Sequence, residues 1–367
     1  MGPILVLGGG QLGLMMAEAA ARYGIAVDRY DPEGDRLLPG TSDLGVPATT
    51  DTLARYARIT VEREAFPDTG PGRELAESER CVARGALAVI PDRFTQKSML
   101  DDLGIATAPW RPLDQQGDLG NALSDWGPVV VKARSGGYDG RGMWFADEDG
   151  ADVPEAAIAG KAIIEKKIPF SRELSVVGAR NPAGEMVFYP LVRNWHVNGI
   201  LCLTLAPAAA VDAALQAEAE TALGQIMTRL DYAGVMAVEF FQHGEHLLVN
   251  EIAPRVHNSG HWSQEGADIS QFELHVRALA DLPLATPQCG PFNAMVNLIG
   301  VDFRDDWLSR AGTVHWYGKS VRPGRKVGHV NLVAGSAEDL HAQLSDWLDV
   351  MPDGALAQLD DELNSRR

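Results

Sequence analysis

The chain has 367 residues, 50 of them acidic and 32 basic, which gives a formal net charge of -18. This length allows two or three domains with a sizeable core, and 46% hydrophobic residues is an ordinary value for a globular protein. A chain this acidic is not expected to bind nucleic acid, which needs a basic surface. No apolar run approaches the ~20 residues of a membrane span and no signal peptide is evident, so we expect a cytoplasmic protein with no membrane partner.

The amino-terminal segment has the pattern of a β-α-β unit. Residues 4–7 form an apolar strand, an amphipathic helix follows a glycine loop, and residues 25–30 form a second strand that stops at Asp31. This alternation predicts a doubly wound α/β domain with a parallel sheet. Residues 35–85 carry several turn signals and are hard to assign, and the apolar run at residues 89–91 is predicted to be the last strand of this domain.

The glycine loop between the first strand and the first helix fits three different roles. Gly8, Gly10 and Gly13 have the spacing G-x-G-x-x-G, and Asp31 ends the next strand, as in dinucleotide-binding folds. A nicotinamide-dependent oxidoreductase is therefore one hypothesis. The amides at a helix N-terminus could equally hold a small phosphate or a sugar, and a tight strand-to-helix turn could need glycine for backbone reasons alone.

A second glycine-rich loop follows the strand predicted at residues 128–132, which ends in Lys132. The amides of this loop could fold over phosphates, and Lys132 could reach phosphate oxygens from the strand. Tyr138 and Asp139 at the tip of the loop would contact a second substrate when the loop closes as a lid. The loop residues expected to contact a nucleotide are Gly137, Tyr138, Asp139, Gly140, Arg141 and Gly142.

Two acidic residues are predicted to face each other across a β-hairpin. Residues 234–241 and 247–252 are apolar arms joined by a short turn, and a turn centred near Glu245 places Glu239 opposite Glu251. Opposed side chains lie ~5 Å apart at Cβ on one face of a sheet, and two carboxylates this close repel unless a cation lies between them. The pair therefore predicts a magnesium site that carries nucleotide phosphates. Strict alternation points Asn250 to the other face, so Asn250 can be a ligand only if the strand twists locally.

The segment after this hairpin is rich in groups that bind anions. Arg255, His257 and Asn258 follow the second arm, and a basic cluster lies further along the chain. A guanidinium and an imidazole suit a small anion, and the basic cluster supplies the local positive charge that an acidic chain needs to bind anionic substrates. The members of the basic cluster are Lys319, Arg322, Arg325 and Lys326.

Several longer motifs occur here in one order and resemble a known family. They are Gly-Gly-Tyr-Asp-Gly-Arg-Gly in the second loop, Arg-Glu-Leu-Ser from Arg172, Asn-Glu-Ile-Ala-Pro-Arg-Val-His-Asn-Ser-Gly-His from Asn250, and Arg-Pro-Gly-Arg-Lys-Val-Gly-His from Arg322. Together they resemble the carboxyaminoimidazole ribonucleotide synthases, which are ATP-grasp ligases of purine biosynthesis. The resemblance runs from residue 4 to about residue 335 and is weak between residues 35 and 85.

This resemblance implies an α/β ATP-grasp fold in three parts. A Rossmann-like preATP-grasp domain is expected at residues 1–92, and an ATP-grasp domain at residues 93–285 with a mobile lid subdomain at about 120–168. A small C-terminal region at residues 286–367 would complete the substrate site. Members of the family are typically homodimers, so a homodimer is expected here.

The implied reaction joins bicarbonate to 5-aminoimidazole ribonucleotide at the expense of ATP, through carboxyphosphate, and yields the N5-carboxylated ribonucleotide, ADP and phosphate. Two Mg²⁺ ions are expected as cofactors, with Mn²⁺ as a possible substitute. Other hypotheses remain: another ATP-grasp carboxylate-amine ligase or carboxylase, the nicotinamide oxidoreductase, and a nucleotide-binding regulator without turnover. His257 is the nearest proton acceptor for the carboxylation step, although an orienting or anion-binding role is equally open.

The resemblance also implies roles for individual residues. Magnesium is expected on Glu239 and Glu251, and bicarbonate or carboxyphosphate on Arg255, His257 and Asn258. The ribonucleotide is expected to contact Gly10, Gln11, Leu12, Tyr138, Asp139, Lys319, Arg322 and Arg325, and Glu62 could be a family acid near it. ATP is expected to contact the second loop, Arg93, Lys132, the hinge residues Glu165, Lys166, Lys167 and Ile168, and Glu173, His196, Asn250 and Glu251.

Overall fold

The computed structural model describes residues 2–64, 70–137, 142–147, 150–151, 153–154, 157–158 and 160–351. Within these residues the chain forms three β-sheets against which the helices pack. No helix in these described ranges is both long enough and apolar enough to cross a membrane. The three sheets each contribute side chains to the candidate site.

The first sheet is built by the amino-terminal segment. Its elements are β1 (Ile4–Leu7), α1 (Gln11–Ala21), β2 (Val27–Asp31), β3 (Arg36–Leu38), β4 (Val46–Pro47), α2 (Thr50–Ala54), β5 (Arg58–Val61), α3 (Pro71–Glu77) and α4 (Arg84–Leu87). The strand order is β4-β3-β2-β1-β5, with β1 parallel to both β2 and β5. The predicted β-α-β opening is confirmed.

The strand predicted at residues 89–91 is wrong. These residues form turns directly after α4, and the buried Ile90 packs into the core without joining a sheet. The amides of Val89 and Ile90 donate to the carbonyl of Ala86, so the apolar run continues the turns of α4, and Pro91 has no amide to donate to a ladder. In the described residues the last strand of this sheet is β5, which forms one edge.

The second sheet is wholly antiparallel and includes the strand that ends near Lys132. Its segment contains α5 (Arg93–Asp102), β6 (Trp110–Leu113), α6 (Gln116–Trp126), β7 (Val129–Ala133), β8 (Met143–Asp147), β9 (Gly150–Ala151) and β10 (Ala162–Lys166). The strand order is β6-β10-β7-β8-β9. Asp92 caps α5 by accepting hydrogen bonds from the amides of Phe94 and Thr95. The helix therefore begins at Arg93, and Lys97 in its second turn lies beside Glu165 on β10.

The third sheet is the largest. Its elements are β11 (Arg172–Arg180), β12 (Met186–Phe188), β13 (Val192–Val197), β14 (Ile200–Ala206), α7 (Ala213–Arg229), β15 (Gly234–His243), β16 (His246–Ala253), α8 (Ser263–Gly266), α9 (Gln271–Leu279), β17 (Phe292–Ile299), β18 (Thr313–Trp316), β19 (Lys326–Ala334) and α10 (Ala337–Ser345). The order is β16-β15-β11-β13-β14-β17-β19-β18, and β12 pairs with β11. Short 3-10 helices span Asn258–Gly260, Asp305–Ser309 and Leu348–Val350.

The predicted hairpin is confirmed as β15 and β16. His243 lies opposite His246, so a two-residue turn connects the strands, and Gly244 adopts the positive φ of 63° that such a turn requires. The hairpin forms one end of the large sheet beside β11. It therefore carries Glu239 and Glu251 to a place where β7 and β10 of the second sheet also supply polar side chains.

A buried histidine joins the first and third sheets. The Nδ1 atom of His275 on α9 accepts a hydrogen bond of 2.8 Å from the amide of Val235, and its Nε2 atom lies 2.9 Å from the hydroxyl of Thr60 on β5. Because the amide can only donate, the ring proton is on Nε2 and is donated to Thr60. The side chain is fully buried, and burial lowers the pKa of His275 to about 3.

Candidate active site

Glu239 and Glu251 lie opposite each other in the hairpin, as the sequence predicts. Residues opposed on antiparallel strands point to the same face of the sheet, so the two carboxylates share one site. Burial raises the pKa of Glu239 to about 7, with the charge of Glu251 acting in the same direction and His196 opposing it. A divalent cation between the two carboxylates would remove this electrostatic cost.

A β-bulge brings Asn250 into the same site. Between the pairs Glu239–Glu251 and Phe240–Val249 the register shifts by one residue, and Asn250 is the extra residue on β16. The Oδ1 atom of Asn250 accepts a hydrogen bond of 3.2 Å from the Nζ atom of Lys132. The sequence predicts that Asn250 can be a ligand only if the strand departs locally from strict alternation of side chains. The bulge is such a departure.

Lys132 belongs to a buried charge cluster with Lys97 and Glu165. The Glu165 carboxylate lies 2.7 Å from Lys132 Nζ and 3.0 Å from Lys97 Nζ. Burial alone would raise the pKa of Glu165, but the charges of Lys132 and Lys97 outweigh it and lower that pKa to about 2. Two ammonium groups and one carboxylate leave one net positive charge, which suits a site for phosphate.

Two backbone amides of the predicted hinge, residues 165–168, already donate hydrogen bonds within the protein. The amide of Lys166 donates to the carbonyl of Pro109 at 2.8 Å, and the amide of Lys167 donates to the carbonyl of Pro128 at 3.0 Å. The predicted adenine contacts at residues 165–168 must therefore come from other backbone groups of this segment. The buried side chain of Glu165 faces the two lysines and fixes the end of β10 beside them.

Glu173 and His196 form an ion pair beside the two glutamates. The Oε2 atom of Glu173 lies 2.5 Å from Nδ1 of His196, and Nε2 of His196 lies 3.9 Å from Oε1 of Glu239. Burial would lower the pKa of His196, but the interaction with Glu173 outweighs it and raises that pKa. The two residues predicted to contact ATP are thus brought together next to the predicted metal ligands.

The three residues predicted to bind a small anion are held by different partners. The Nε atom of Arg255 lies 2.8 Å from Oε1 of Glu64. The Nδ1 atom of His257 lies 2.9 Å from the hydroxyl of Ser259, while Nε2 lies 3.7 Å from Oε1 of Glu239. Because His257 lies beside Glu239, with Arg255 and Asn258 close to it along the chain, a small anion and a metal-bound phosphate could be adjacent here.

Asn258 makes a reciprocal amide pair with Asn297. Its Nδ2 atom donates to Oδ1 of Asn297 at 3.0 Å, and Nδ2 of Asn297 donates back at 2.6 Å and also contacts the carbonyl of Leu201 at 2.8 Å. Both amide orientations follow from this network because a carbonyl can only accept. Asn297 on β17 therefore sets the orientation of the Asn258 amide.

The first glycine loop is occupied by a carboxylate of the protein. Glu62 accepts hydrogen bonds from the amides of Gly10 at 2.5 Å and Gly13 at 2.9 Å, at the N-terminus of α1. Gly8 adopts a φ of 134°, which residues with a Cβ rarely adopt, and a Cβ there would lie 2.1 Å from Cγ of Glu62. The loop thus needs glycine for backbone reasons and also binds an anionic group, which here is Glu62, while Leu12 buries its side chain in the core.

The basic cluster lies at the turn between β18 and β19. Arg325 donates from Nη1 to the carbonyl oxygen and the hydroxyl of Ser320 at 3.1 and 2.6 Å, and Lys319 lies over the ring of Tyr317. Arg322 is exposed. Lys326 begins β19, and its positive charge acts on Glu239, which connects the cluster to the metal-binding candidates.

The tip of the second loop lies outside the described residues. Tyr138, Asp139, Gly140 and Arg141 are among these, so their predicted contacts with ATP and ribonucleotide stay predictions. The flanking residues are placed: Gly137 accepts a hydrogen bond of 3.2 Å from Arg93, and the carbonyl of Gly142 accepts one of 2.8 Å from Ala133. Arg93 thus lies at the base of the loop, as its predicted role requires.

Sequence reasoning missed Glu64, Asn297 and Ser259 as members of the site. Their partners are Arg255, Asn258 and His257, and the separations along the chain reach 191 residues for the pair formed by Glu64 and Arg255. Only Ser259 had a local signal, because it lies two residues after a predicted site histidine and could cap the turn. Glu64 falls in the weakly matching segment and Asn297 in a plain apolar strand.

Comparison with known proteins identifies the family. The chain matches the model of the ATP-grasp domain over residues 98–272 and that of the phosphoribosylaminoimidazole carboxylase C-terminal domain over residues 293–343. It is 44% identical over 354 residues to the N5-carboxyaminoimidazole ribonucleotide synthase of Escherichia coli (strain K12), and the match covers 96% of this chain and 96% of the relative.

Solved structures agree along the whole chain. The N5-carboxyaminoimidazole ribonucleotide synthetase of Thermus thermophilus is 39% identical with a TM-score of 0.82, covering 96% of this chain and 99% of that one. The Aspergillus clavatus enzyme in complex with ADP and 5-aminoimidazole ribonucleotide is 27% identical with a TM-score of 0.79, covering 98% of both chains. The chain therefore belongs to the N5-carboxyaminoimidazole ribonucleotide synthase family of ATP-grasp ligases.

Proposed function

We propose that this chain carboxylates 5-aminoimidazole ribonucleotide with bicarbonate and ATP, through carboxyphosphate, in purine biosynthesis. The products are N5-carboxyaminoimidazole ribonucleotide, ADP and phosphate. The observation that carries the proposal is the opposed pair Glu239 and Glu251, with Lys132 and the anion-binding candidates on either side. Family membership supports it and disfavours the nicotinamide oxidoreductase, the non-catalytic regulator and other ATP-grasp ligases.

Mg²⁺ is the cofactor that fits the acidic pair, and Mn²⁺ could replace it. Glu239 and Glu251 would hold the metal, and the raised pKa of the buried Glu239 marks a place where a cation is needed. Over the described ranges no group of three or more His, Cys, Asp or Glu is arranged to hold a metal. This agrees with magnesium chemistry, in which one or two carboxylates and substrate phosphates share the ion with water. When bound, the metal neutralises charge on the transferred phosphoryl group.

The charge cluster around Lys132 is proposed to bind the phosphates of ATP. Lys132 and Lys97 share the single carboxylate of Glu165, which leaves a net positive charge in a buried setting. An attraction between charges is stronger there than at the surface because the surroundings screen it less. Lys132 donates to Asn250, which precedes Glu251 on β16, so the ammonium group would lie close to metal-bound phosphates. Glu173 and His196 would contact the rest of the nucleotide.

Bicarbonate is proposed to bind between Arg255, His257 and Asn258. The ion pair with Glu64 engages Nε of Arg255, and Nη1 donates to the carbonyl of Val256 at 3.1 Å. Both contacts orient the guanidinium, and Nη2 with the second proton of Nη1 would make the two-pronged contact that an oxyanion prefers. Asn297 holds Asn258 in one orientation. The anion would lie beside Glu239, where the transferred phosphoryl group must meet it.

The ribonucleotide is proposed to bind between the first loop and the basic cluster. Lys319, Arg322 and Arg325 would hold its 5′-phosphate, because phosphate requires local positive charge on a chain this acidic. Residues 10–12, with Glu62 bound to the amides of the loop, would lie near the base and sugar. Tyr138 and Asp139 would complete the site from the second loop. The complex of the Aspergillus clavatus relative with ADP and 5-aminoimidazole ribonucleotide supports this pairing of ligands.

We also propose a division into three parts at residues 92 and 285, with a lid at about 120–168. The protein is proposed to be a homodimer and to be located in the cytoplasm. The first sheet ends at β5, before residue 92, which supports the first boundary, whereas the third sheet continues across residue 285 because β14 pairs with β17. The cysteines Cys81, Cys202 and Cys289 are free thiols, which agrees with a reducing compartment.

Phosphate release from ATP tests the proposed reaction. Release should require both bicarbonate and 5-aminoimidazole ribonucleotide at full rate, and one carboxylated ribonucleotide should form for each phosphate. Omission of magnesium should abolish it. Release that is independent of the ribonucleotide, or no release with all substrates present, would contradict the proposal.

A further inference from the structure

A chain of buried polar groups runs through the large sheet to His257. The hydroxyl of Thr204 donates to Oδ1 of Asn194 at 2.8 Å, and Nδ2 of Asn194 donates to the hydroxyl oxygen of Ser175 at 2.8 Å. Ser175 lies 2.8 Å from the hydroxyl of Ser259. These side chains are at most 4% exposed, and they span β14, β13, β11 and the 3-10 helix at Asn258–Gly260.

The direction of the hydrogen bonds in this series follows from the backbone amide of Ser259. That amide donates to Nδ1 of His257 at 3.3 Å, and an amide cannot reverse its role, so Nδ1 has a lone pair. The Ser259 hydroxyl, 2.9 Å from the same Nδ1 atom, therefore donates its single proton to it. Ser259 must then accept from Ser175, whose oxygen also accepts from Asn194.

Both contacts require a lone pair on Nδ1 of His257. A neutral imidazole then carries its proton on Nε2, and in this structure Nε2 lies 3.7 Å from Oε1 of Glu239. A protonated ring would carry a proton on Nδ1 as well, and the two donors at Nδ1 exclude it, so the ring is neutral.

We propose that this buried chain, ending at Ser259, holds His257 as the neutral tautomer with its proton on Nε2, so that His257 donates a hydrogen bond to the bound anion and does not accept a proton. The identity of the anion, bicarbonate or the carboxyphosphate formed from it, rests on the proposed function. Ser259 is then a positioning residue. The sequence left two roles of His257 equally open, that of a base and that of an anion-binding residue. The direction of the hydrogen bonds from Ser175 through Ser259 to His257 decides between these two roles.

Nitrogen-15 spectroscopy of the histidine ring tests the tautomer without any substrate. The protein is labelled at its histidine nitrogens, and the His257 signals are assigned by their loss in His257→Gln. At about pH 7.5, Nδ1 should have the shift of an unprotonated nitrogen and Nε2 that of a protonated one. Ser259→Ala, which leaves only the longer amide contact, should move both signals toward those of a ring exchanging between tautomers. A proton on Nδ1 in the native protein overturns the proposal.

Two substitutions of His257 test the donor role. Glutamine can place an N–H group near the position of Nε2 but cannot act as a base, whereas alanine offers neither group. Loss of one preorganised donor lowers turnover by about 10²- to 10³-fold, so we expect that loss in His257→Ala and at least tenfold higher turnover in His257→Gln. Equal loss in the two variants, with circular dichroism and thermal unfolding like the wild type, overturns the donor role.

Ser259→Ala should lower kcat by about tenfold with an unchanged KM for ATP, as expected for a group that orients a ligand-binding histidine. Ser98→Ala is the control, because the partly buried Ser98 donates to the carbonyl of Phe94 within its own helix, α5. The same kcat in Ser259→Ala and the control overturns the positioning role of Ser259. A wild-type protein that is inactive with these substrates would refute the proposed function and leave the spectroscopic test in force.

Discussion

Glu239 and Glu251 lie directly opposite each other on β15 and β16, and the residue next to Glu251 is bulged out of register. The bulge makes Asn250 the extra residue beside Glu251, and Asn250 binds Lys132. One irregularity in a hairpin thus places two acids, an amide and an ammonium group in one site. The arrangement suits a metal-bound phosphate and costs stability without one, because Glu239 is buried with a second carboxylate beside it.

Replacing either acid should remove activity without unfolding the protein. We expect Glu251→Gln to lower kcat by at least about 10²-fold, because the metal that holds the phosphoryl group loses a ligand. Removal of one other contact to a transition state has an effect of similar size. Glu239→Gln should do the same and raise the thermal midpoint measured in EDTA, because a buried charge is removed. The control is Glu245→Gln at the exposed turn of the same hairpin, which should match the wild type in both assays. Wild-type turnover in Glu251→Gln would remove that residue from the metal site.

The ion pair between Glu64 and Arg255 should control the binding of bicarbonate. Glu64→Ala frees the guanidinium to move, so we expect the KM for bicarbonate to rise by about tenfold, equivalent to roughly 1.4 kcal/mol of lost orientation, with little change in the KM for ATP. Glu33→Ala removes an exposed carboxylate that pairs with Arg63 and should leave both constants unchanged. A rise in KM for ATP as large as that for bicarbonate would show that Glu64 supports the fold in general.

Arg325→Ala should weaken the ribonucleotide far more than ATP. The guanidinium is held by Ser320 at the turn before β19, and the proposed 5′-phosphate contact depends on its charge. We expect the KM for 5-aminoimidazole ribonucleotide to rise by at least about tenfold, as for the loss of a charge-assisted hydrogen bond. Arg304→Ala, which removes an arginine from a surface ion cluster with Asp306 and Asp349, is the control. Equal effects of Arg325→Ala on both KM values would argue against a phosphate role.

His275 should make the folded state sensitive to acid. Its pKa is about 3 in the folded protein and about 6.5 in an unfolded chain, so the unfolded chain binds a proton first as the pH falls below 6.5. The free energy of unfolding should therefore decrease by about 1.4 kcal/mol per pH unit from this group, from about pH 6.5 down toward pH 3. His275→Gln keeps an acceptor for the amide of Val235 but has no such dependence. Denaturant unfolding at about pH 7.5 and about pH 5.5, on either side of the unfolded pKa, should show a smaller decrease in the variant. Parallel decreases would contradict this assignment.

The parts of the site that the sequence predicts are those set by local rules. Counting from a turn centred on Glu245 pairs Glu239 with Glu251, but the observed two-residue turn would by itself pair Glu239 with Asn250, so the observed pair also depends on the bulge. The bulge cannot be predicted from local rules, because only the contact of Asn250 with Lys132 across two sheets explains it. Glu64 and Asn297 could not be found for the same reason: their partners are distant in the chain, and neither residue lies in a motif. The strand wrongly predicted at residues 89–91 shows that a short apolar run can equally be a buried turn.

Transfer of oxygen from bicarbonate to phosphate is the most direct test of the central claim, that this chain uses ATP to phosphorylate bicarbonate before carboxylating the ribonucleotide. The reaction is run with bicarbonate labelled with oxygen-18, and the inorganic phosphate is analysed by mass spectrometry. The γ-phosphoryl group of ATP should bond to a bicarbonate oxygen, and cleavage of the bond between that oxygen and carbon should leave one labelled oxygen in each phosphate. Phosphate that carries oxygen only from ATP and water, formed at the rate of product, would contradict the account.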